Sequence, residues 1–483
     1  MHNGQIIAQA YNVNPTAQQL QFCEAMAGFL TAKKPESCFV LRGYAGTGKT
    51  TSVAALVKVL PKFGYKSILL APTGRAAKVM SSYTQQKAYT IHKKIYRKKT
   101  SNEMDTRFGL APNLVKQTLF IIDEASMIAD EYNTQNGSSL LQDLIEYVYQ
   151  PAHDGSEKNC LLLFVGDTAQ LPPVGSIESP ALNEKYLANH FGLNAQSIEL
   201  TEVVRQQKKS GILENATMLR KMIHISQRHK SGVPKFATKA YKDIFSMNGH
   251  KFTEGLEYAY RKYGVENTLV VCRSNKSANA YNNQIRTRIL YKDDELGGGD
   301  LIMIVRNNYF WLPENSDASF IANGDMAKII RVRREEERYG FRFAEAQIEL
   351  LDYPDLGAIT CKVILDTIQV ESPNLPFSAA KQLYEGLLLD YDHIANRKAK
   401  MVAIKQDPYY NALQIKFAYA VTCHKAQGGQ WDSVFVDQGY LTEDMLDLDF
   451  LRWLYTAVTR AKRELFLVNF GKTFFKDRIE EDF

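Results

Sequence analysis

The most constraining feature of the sequence is the glycine-rich stretch GYAGTGKT, which occupies residues 43–50. It follows the apolar run CFVL and precedes TSVAALVKVL, whose apolar residues recur at helical spacing. The backbone N–H groups of such a loop can point inward around phosphate oxygens, and the following helix adds partial positive charge at its N-terminus. A strand, this loop and a helix in that order predict a nucleotide-binding α/β domain.

Individual positions of this phosphate loop have predicted roles. We expect Lys49 to reach the β- and γ-phosphates of ATP, and the hydroxyl of Thr50 to hold Mg²⁺. ATP and Mg²⁺ are therefore the predicted cofactors. The other predicted nucleotide-binding residues of the loop and of the helix after it are Gly43, Ala45, Gly46, Thr47, Gly48 and Thr51.

Two acidic residues follow one another at the end of another apolar run. The run LFIID, at 119–123, ends in Asp123, and Glu124 is the next residue. Asp123 suits the coordination shell of Mg²⁺, and Glu124 suits positioning or deprotonating an attacking water. In the segment GDTAQLPPV at 166–174, Gln170 is expected to sense the γ-phosphate from a neighbouring strand end. Because a phosphate loop precedes them, the acidic pair is predicted to be catalytic rather than part of a solvated loop.

Short, near-continuously apolar runs recur along the chain, with longer and partly helical stretches between them. Such runs are typical of strands that are buried on both faces of a parallel sheet. They form two series, which predicts an α/β fold with two similar domains side by side. The runs are CFVL at 38–41, SILLA at 67–71, LFIID at 119–123 and CLLLFVG at 160–166, then TLVVC at 268–272, SVFVD at 433–437 and ELFLV at 464–468.

The second series is interrupted between about residues 300 and 412. The segments 327–334, 341–350 and 358–370 alternate in part or are rich in β-branched residues, so an antiparallel β-meander is predicted as an insertion. A helical stretch is predicted to follow it at 377–405.

The composition is that of an ordinary globular protein, with 45% apolar and 23% charged residues. These values exclude a wholly disordered chain, a collagen and a coiled coil. The surplus of basic residues, 59 Lys and Arg against 53 Asp and Glu, permits a polyanionic partner without requiring one. The six cysteines form no CxxC pair, and no signal peptide or membrane-spanning run is evident, so a reducing, cytoplasmic location is expected.

Two segments near the C-terminus narrow the class of protein: TCHKAQG at 422–428 and YTAVTRAK at 455–462. With the phosphate loop, the acidic pair and the 166–174 segment, they follow the motif order of the superfamily 1 helicases. The chain resembles that superfamily from about Thr16 to Phe470, and specifically its RecD-type and phage Dda-type 5′→3′ branch.

The resemblance implies roles for further residues. The Thr-x-x-Gln spacing at 16–19 resembles an adenine-reading motif with Gln19 as its reader. Arg205 and Arg460 would act as arginine fingers across the cleft between two RecA-like domains, and such fingers are worth about 10³–10⁵ in rate. Gly428 is assigned to the nucleotide site. Contacts with nucleic acid are expected from Pro72, Thr73, Arg75, Thr90, His92, Thr422, His424 and Lys425.

The implied function is an ATP-dependent DNA helicase that translocates 5′→3′ on single-stranded DNA, coupling hydrolysis to closure of the two domains. Its implied partners are single-stranded DNA and forked or tailed duplex DNA, with no membrane, and a single-strand-binding or replication protein is a further candidate partner of the expected monomer. The implied domains are a first RecA-like domain at 1–86 and 117–195, a pin insertion at 87–116, a second RecA-like domain at 196–302 and 413–483, and an SH3-like insertion at 303–412.

Two other functions are compatible with the residues. An RNA helicase or RNP remodeller of the same superfamily is the first, because nothing in the sequence decisively recognises a 2′-hydroxyl. A nucleic-acid-binding scaffold with a degenerate ATP site is the second, and the intact Lys49, Asp123, Glu124 and Arg460 argue against it.

Two local clusters have open interpretations. The run KKIYRKK at 93–99 is either a nucleic-acid contact or a solvated basic face. The aromatic cluster Tyr309, Phe310 and Trp311 is either a base-stacking wedge or part of a core or domain interface.

Overall fold

The computed structural model describes residues 3–98, 108–131, 138–151, 155–156, 158–203, 210–226, 232–312 and 320–476. Two parallel sheets and one closed barrel organise this part of the chain. The first sheet and the helices around it are called the first lobe, and the second sheet with its helices the second lobe.

The first lobe is built on a six-stranded, all-parallel sheet with the order β3-β2-β6-β7-β1-β8. Its elements, with those of a small hairpin, are α1 (Asn3–Ala8), α2 (Ala17–Ala32), β1 (Ser37–Gly43), α3 (Lys49–Val59), β2 (Lys66–Ala71), α4 (Gly74–Thr84), β3 (Ala88–Thr90), α5 (Ile91–Ile95), β4 (Tyr96–Lys98), β5 (Phe108–Leu110), β6 (Thr118–Ile122), α6 (Leu140–Tyr149), β7 (Leu161–Gly166), α7 (Glu184–Phe191) and β8 (Asn194–Leu200).

Strands β6 and β7 are buried along their whole length, since helices cover both faces of the sheet. This explains why the sequence showed continuous apolar runs there. The edge strands β3 and β8 were not predicted, because β3 has only three residues and β8, NAQSIEL, is polar and partly exposed. Strand β8 pairs with β1, so the predicted domain limit at residue 195 falls inside a strand of the first sheet.

The hairpin of β4 and β5 lies within the predicted pin insertion, and its Tyr96 and Leu110 pack against the core of the first lobe. Its strands pair antiparallel, with Tyr96 opposite Leu110 and Arg97 opposite Gly109. Lys99 and the rest of the connection up to residue 107 lie outside the described residues.

The second lobe is a five-stranded parallel sheet with the order β16-β10-β17-β18-β9, and the barrel is inserted between β10 and β16. The elements from here on are α8 (Gly211–Ser226), β9 (Ile244–Met247), α9 (Phe252–Tyr263), β10 (Thr268–Cys272), α10 (Asn275–Gln284), β11 (Leu301–Ile304), β12 (Met326–Arg338), β13 (Phe341–Leu350), β14 (Ala358–Ile364), α11 (Phe377–Asp390), α12 (Arg397–Lys405), β15 (Leu413–Phe417), β16 (Ala420–Thr422), α13 (Cys423–Ala426), β17 (Trp431–Asp437), α14 (Leu448–Val458) and β18 (Ala461–Val468).

Strands β11 to β15 close into the barrel, and their pairing is antiparallel except between β14 and β15. The predicted meander and helical stretch are confirmed by β12 to β14 and by α11 and α12. The barrel extends further than the predicted 303–412, since β11 begins at Leu301 and β15 ends at Phe417. Both strands are short and fully buried. Strand β11, LIMI, is an apolar run that the sequence does not distinguish from a strand of the parallel sheet, and β15, LQIKF, includes two polar residues.

Within the described residues, no helix combines the length and the apolar character that crossing a bilayer requires.

Candidate functional site

The phosphate loop connects β1 to α3 at the carboxyl edge of the first sheet. Gly46 and Gly48 have φ of 77° and 82°, a left-handed backbone that favours glycine. A Cβ on Gly43 would lie 2.8 Å from the Thr47 hydroxyl, so the loop is also too tight there for a side chain. The Lys49 ammonium donates to the carbonyls of Gly43 at 2.6 Å and Tyr44 at 3.0 Å, which places its charge over the loop.

The acidic pair lies directly after β6, two strands away from β1. Asp123 accepts a hydrogen bond from the Tyr83 hydroxyl at 2.7 Å and one from the backbone N–H of Glu124 at 2.8 Å. Burial raises the pKa of Glu124, while the positive charge of Arg460 lowers it and the charge of Asp123 raises it. The pKa of Glu124 is therefore influenced by the arginine of the other lobe as well as by its own acidic neighbour.

Asp167 is a third carboxylate, at the end of β7 between the phosphate loop and the acidic pair. It is 1% exposed and accepts hydrogen bonds from the Ala169 N–H at 2.9 Å and the Tyr455 hydroxyl at 2.6 Å. Burial raises its pKa, and the charge of Lys49 acts most strongly in the opposite direction.

Arg460 reaches the site from the second lobe, just after α14. Its side chain is buried, and its guanidinium donates to the carbonyls of Thr456 at 3.0 Å and Gly429 at 3.2 Å. The charges of Lys49 and Arg460, one from each lobe, both lower the pKa of Glu124. The other predicted finger, Arg205, lies outside the described residues.

Gln170 precedes a residue, Leu171, whose backbone makes two hydrogen bonds to the second lobe. The Gln170 side chain is 7% exposed, and its Oε1 atom has no hydrogen-bond partner within the part of the chain that the structure describes. The next residue, Leu171, is held by the second lobe: its N–H donates to Thr456 Oγ1 at 2.9 Å, and its carbonyl accepts from Gln427 Nε2 at 2.8 Å. Any movement between the lobes at this point therefore acts directly on Gln170.

Gln19 connects helix α2 to the phosphate loop through a hydrogen bond. Its side chain accepts a hydrogen bond from the Thr16 N–H at 2.8 Å, as part of the capping box of α2, and donates to the Thr47 carbonyl at 3.3 Å. Its neighbour Gln18 instead bonds to the backbone N–H groups of Thr201 and Glu202. The adenine-reading role of Gln19 stays a prediction.

The predicted nucleic-acid contacts of the first lobe cluster after β2 and β3. Thr73, which follows Pro72, caps α4, and Thr90 caps α5. Arg75 stacks on the ring of Trp431 from the second lobe, with its guanidinium carbon 4.0 Å from the ring centre. His92 is half-buried, and burial lowers its pKa, so the neutral imidazole is favoured.

The predicted contacts of the second lobe lie at the end of β16 and directly after it. Thr422 precedes the short helix α13, which carries His424 and Lys425. Gly428 lies against the first lobe, since a Cβ on it would be 3.0 Å from both Thr73 Oγ1 and Ala76 Cβ. The structure therefore places Gly428 beside residues that are predicted to contact nucleic acid. Its assignment to the nucleotide site stays a prediction.

The residues predicted to hold Mg²⁺ have suitable chemistry. The Asp123 carboxylate and the Thr50 hydroxyl are hard oxygen donors of the kind that Mg²⁺ prefers. In the described part of the chain, no group of three or more His, Cys, Asp and Glu could hold a metal ion alone. Mg²⁺ is usually bound by one or two protein oxygens together with waters and substrate phosphates, so these two side chains suit a magnesium–nucleotide complex.

Comparisons with known proteins cover both lobes. The AAA domain family matches residues 16–227, and the family described as UvrD-like helicase C-terminal domain matches residues 417–468. The ATP-dependent DNA helicase dda of Enterobacteria phage T4 is 24% identical over 458 residues, which is 90% of this chain and 95% of that protein. Together these matches support a superfamily 1 helicase. The resemblance inferred from the motifs is thereby confirmed.

Two further similarities are to a second DNA helicase and to a solved helicase structure. The ATP-dependent RecD2 DNA helicase of Deinococcus radiodurans is 30% identical over 201 residues, which is 40% of this chain and 23% of that protein. Among solved structures, the Pif1 helicase from Bacteroides in complex with ADP-AlF3 and ssDNA covers 96% of this chain and 95% of its own, with a TM-score of 0.46 and 14% identity.

Three residues of the candidate site were not singled out from the sequence. Asp167 and Tyr455 lie within motifs that were recognised, but their side-chain contacts cross from one lobe to the other. Arg220, on α8, stacks on the ring of Tyr44 in the phosphate loop, 4.2 Å from the ring centre. No local sequence pattern predicts that contact.

The aromatic cluster Tyr309, Phe310 and Trp311 lies between β11 and β12 of the barrel and makes contacts within the protein. Trp311 donates from its ring N–H to the Asn411 carbonyl at 2.7 Å, and the ring of Tyr309 lies 4.7 Å from that of Phe320. These contacts favour the core interpretation over the wedge.

Proposed function

We propose that the protein is an ATP-dependent DNA helicase that translocates 5′→3′ along single-stranded DNA. The observation that carries the proposal is the position of Arg460, a buried arginine of the second lobe whose charge acts on Glu124 of the first. A site that draws its charges from two lobes is completed or broken by their relative movement. This is the arrangement that converts hydrolysis into motion.

We assign the chemistry of the nucleotide site as follows. Lys49 neutralises the β- and γ-phosphates, Glu124 orients the attacking water, and Arg460 stabilises the charge that develops in the transition state. Mg²⁺ held by Thr50 and Asp123 would neutralise phosphate charge when bound. Gln170 senses the γ-phosphate, and we assign the same finger role to Arg205.

The strand-binding surface is proposed to run over both lobes. The first half consists of Pro72, Thr73, Thr90 and His92, and the second of Thr422, His424 and Lys425. Arg75, stacked on Trp431, connects the two halves. If the lobes grip the strand alternately as the nucleotide site closes and opens, each cycle of hydrolysis advances the protein along the strand.

We further propose that the barrel is the SH3-like accessory domain and that the β4–β5 hairpin is the strand-separating pin. The predicted domain limits are retained in this proposal, with β8 added to the first domain and β11 and β15 to the barrel. The proposed partners are single-stranded DNA and forked or tailed duplexes, bound by a monomer.

Duplexes with a single-stranded tail on either the 5′ or the 3′ side test the direction of movement. With ATP and Mg²⁺, we expect unwinding from 5′ tails and little from 3′ tails. Unwinding from 3′ tails alone would refute the direction. ATPase activity that neither DNA nor RNA single strands stimulate would refute the motor, and stimulation by RNA alone would favour the RNA helicase.

The affinity for single-stranded DNA is expected to fall above about pH 8. Burial and the nearby charge of Lys416 lower the pKa of Lys425 to about 8, so this ammonium is charged below that pH and neutral above it. We expect roughly a three- to tenfold loss of affinity between pH 7 and pH 9 at constant ionic strength, measured by fluorescence anisotropy.

The matched variant is Lys425→Arg, because arginine stays charged throughout this range. It should bind equally well at both pH values. The same fall in the variant as in the wild type would show that another group titrates.

A further inference from the structure

The second lobe touches the phosphate loop through one tyrosine hydroxyl. Tyr455, on α14, is 1% exposed, and its hydroxyl accepts a hydrogen bond from the Ala45 N–H at 3.0 Å. The same hydroxyl donates to Asp167 at 2.6 Å. It therefore joins the loop and the end of β7, two separate parts of the first lobe, to one helix of the second.

The two hydrogen bonds of the Tyr455 hydroxyl are expected to hold the lobes together firmly. The hydrogen bond to Asp167 is made to a buried carboxylate, and such charge-assisted bonds are shorter and stronger than neutral ones. Removing the hydroxyl would leave the Ala45 amide and a carboxylate oxygen without this partner in a poorly hydrated place, where unsatisfied groups are costly.

The bridge lies one helical turn from the arginine finger. The N–H of Thr459 donates to the Tyr455 carbonyl, and the Arg460 guanidinium is held by the carbonyl of Thr456. The Thr456 hydroxyl also accepts the Leu171 N–H of the first lobe. Two consecutive residues, Tyr455 and Thr456, thus fasten α14 to the first lobe and also determine where Arg460 lies.

We propose that Tyr455 is a positioning residue that sets the register of Arg460 against the phosphate loop. It acts through the arginine rather than on the nucleotide. The inference rests on the proposed function, because it assumes that Arg460 serves ATP hydrolysis.

A double-mutant cycle with Tyr455→Phe and Arg460→Ala tests this proposal. A small misplacement of a catalytic group can cost about 10–100-fold in rate, so we expect Tyr455→Phe to lower DNA-stimulated kcat by that factor and to leave the KM for ATP within about twofold. In the Arg460→Ala background, Tyr455→Phe should have no further effect, since residues that act as one unit are not additive.

Nucleotide binding gives a second readout that does not depend on turnover. Fluorescent ADP with aluminium fluoride mimics the transition state. Its affinity should fall in Tyr455→Phe by about the same factor as kcat, while the affinity of ADP alone should not change. The matched control is Tyr281→Phe, which removes a tyrosine–carboxylate hydrogen bond of 2.9 Å to Asp437 within the second lobe. The control should leave kcat and both affinities as in the wild type.

Two results would overturn the proposal. The first is an unchanged kcat in Tyr455→Phe. The second is a full additional loss of kcat in the Arg460→Ala background, which would mean that Tyr455 supports the fold or another group. Failure of the proposed function is distinguishable, because in that case Arg460→Ala alone would leave ATP turnover intact.

Discussion

Replacing Lys49 with alanine is expected to lower DNA-stimulated ATP turnover by at least about 10³-fold, or about 4 kcal/mol of transition-state stabilisation. The ammonium lies over the phosphate loop, 2.6 Å from the Gly43 carbonyl, and is the group placed to neutralise the transferred phosphate. Alanine keeps the helical propensity of α3 at its first residue, so the loop should still fold. The measurement is steady-state ATPase activity with saturating single-stranded DNA.

Binding of single-stranded DNA separates this result from misfolding. The predicted strand contacts belong to other segments, so the Lys49→Ala variant should bind the strand with an affinity within about twofold of wild type. Lys58→Ala is the matched control, because Lys58 lies on the same helix and its ammonium contacts the Asn12 side chain at 3.1 Å. Turnover in Lys49→Ala above a tenth of wild type would contradict the assigned site.

Replacing Arg460 is the second change with a large expected effect. An arginine finger is worth about 10³–10⁵ in rate, so Arg460→Ala should lower DNA-stimulated kcat by about 10³-fold or more. The kcat of Arg460→Lys should be nearly as low. Lysine keeps the charge but lacks the planar set of donors that binds the Thr456 and Gly429 carbonyls. Nucleotide affinity should change little, since the arginine acts mainly in the transition state.

The pH dependence of the residual activity provides an independent check on Arg460. Its charge lowers the pKa of Glu124, which burial raises. Without Arg460 the pKa of Glu124 rises further, and because Glu124 acts as a carboxylate, the acidic limb of the kcat profile should move to higher pH. Arg463→Ala, at an exposed arginine near Asp432, should leave the profile in place. An acidic limb that does not move in Arg460→Ala would contradict the proximity of the two groups.

The central strands of both lobes could be predicted from the sequence. A strand between two others, with helices on both faces, must be apolar along its length, and β6, β7 and β10 are of this kind. The edge strand β8 and the limits of the barrel could not be predicted in the same way. Their residues are partly polar or match other buried strands, and only pairing across the chain decides which sheet they join.

The sequence by itself predicted the nucleotide site and determined the resemblance to the helicases, because the phosphate loop and the acidic pair each depend on a few neighbouring residues. Their geometry follows from local backbone conformation, as the left-handed Gly46 and Gly48 illustrate. Only the tertiary structure decided how the lobes meet. The bonds from Tyr455 to Ala45 and from Thr456 to Leu171 join residues hundreds of positions apart, and no local pattern encodes a contact that exists only once both lobes have folded and packed.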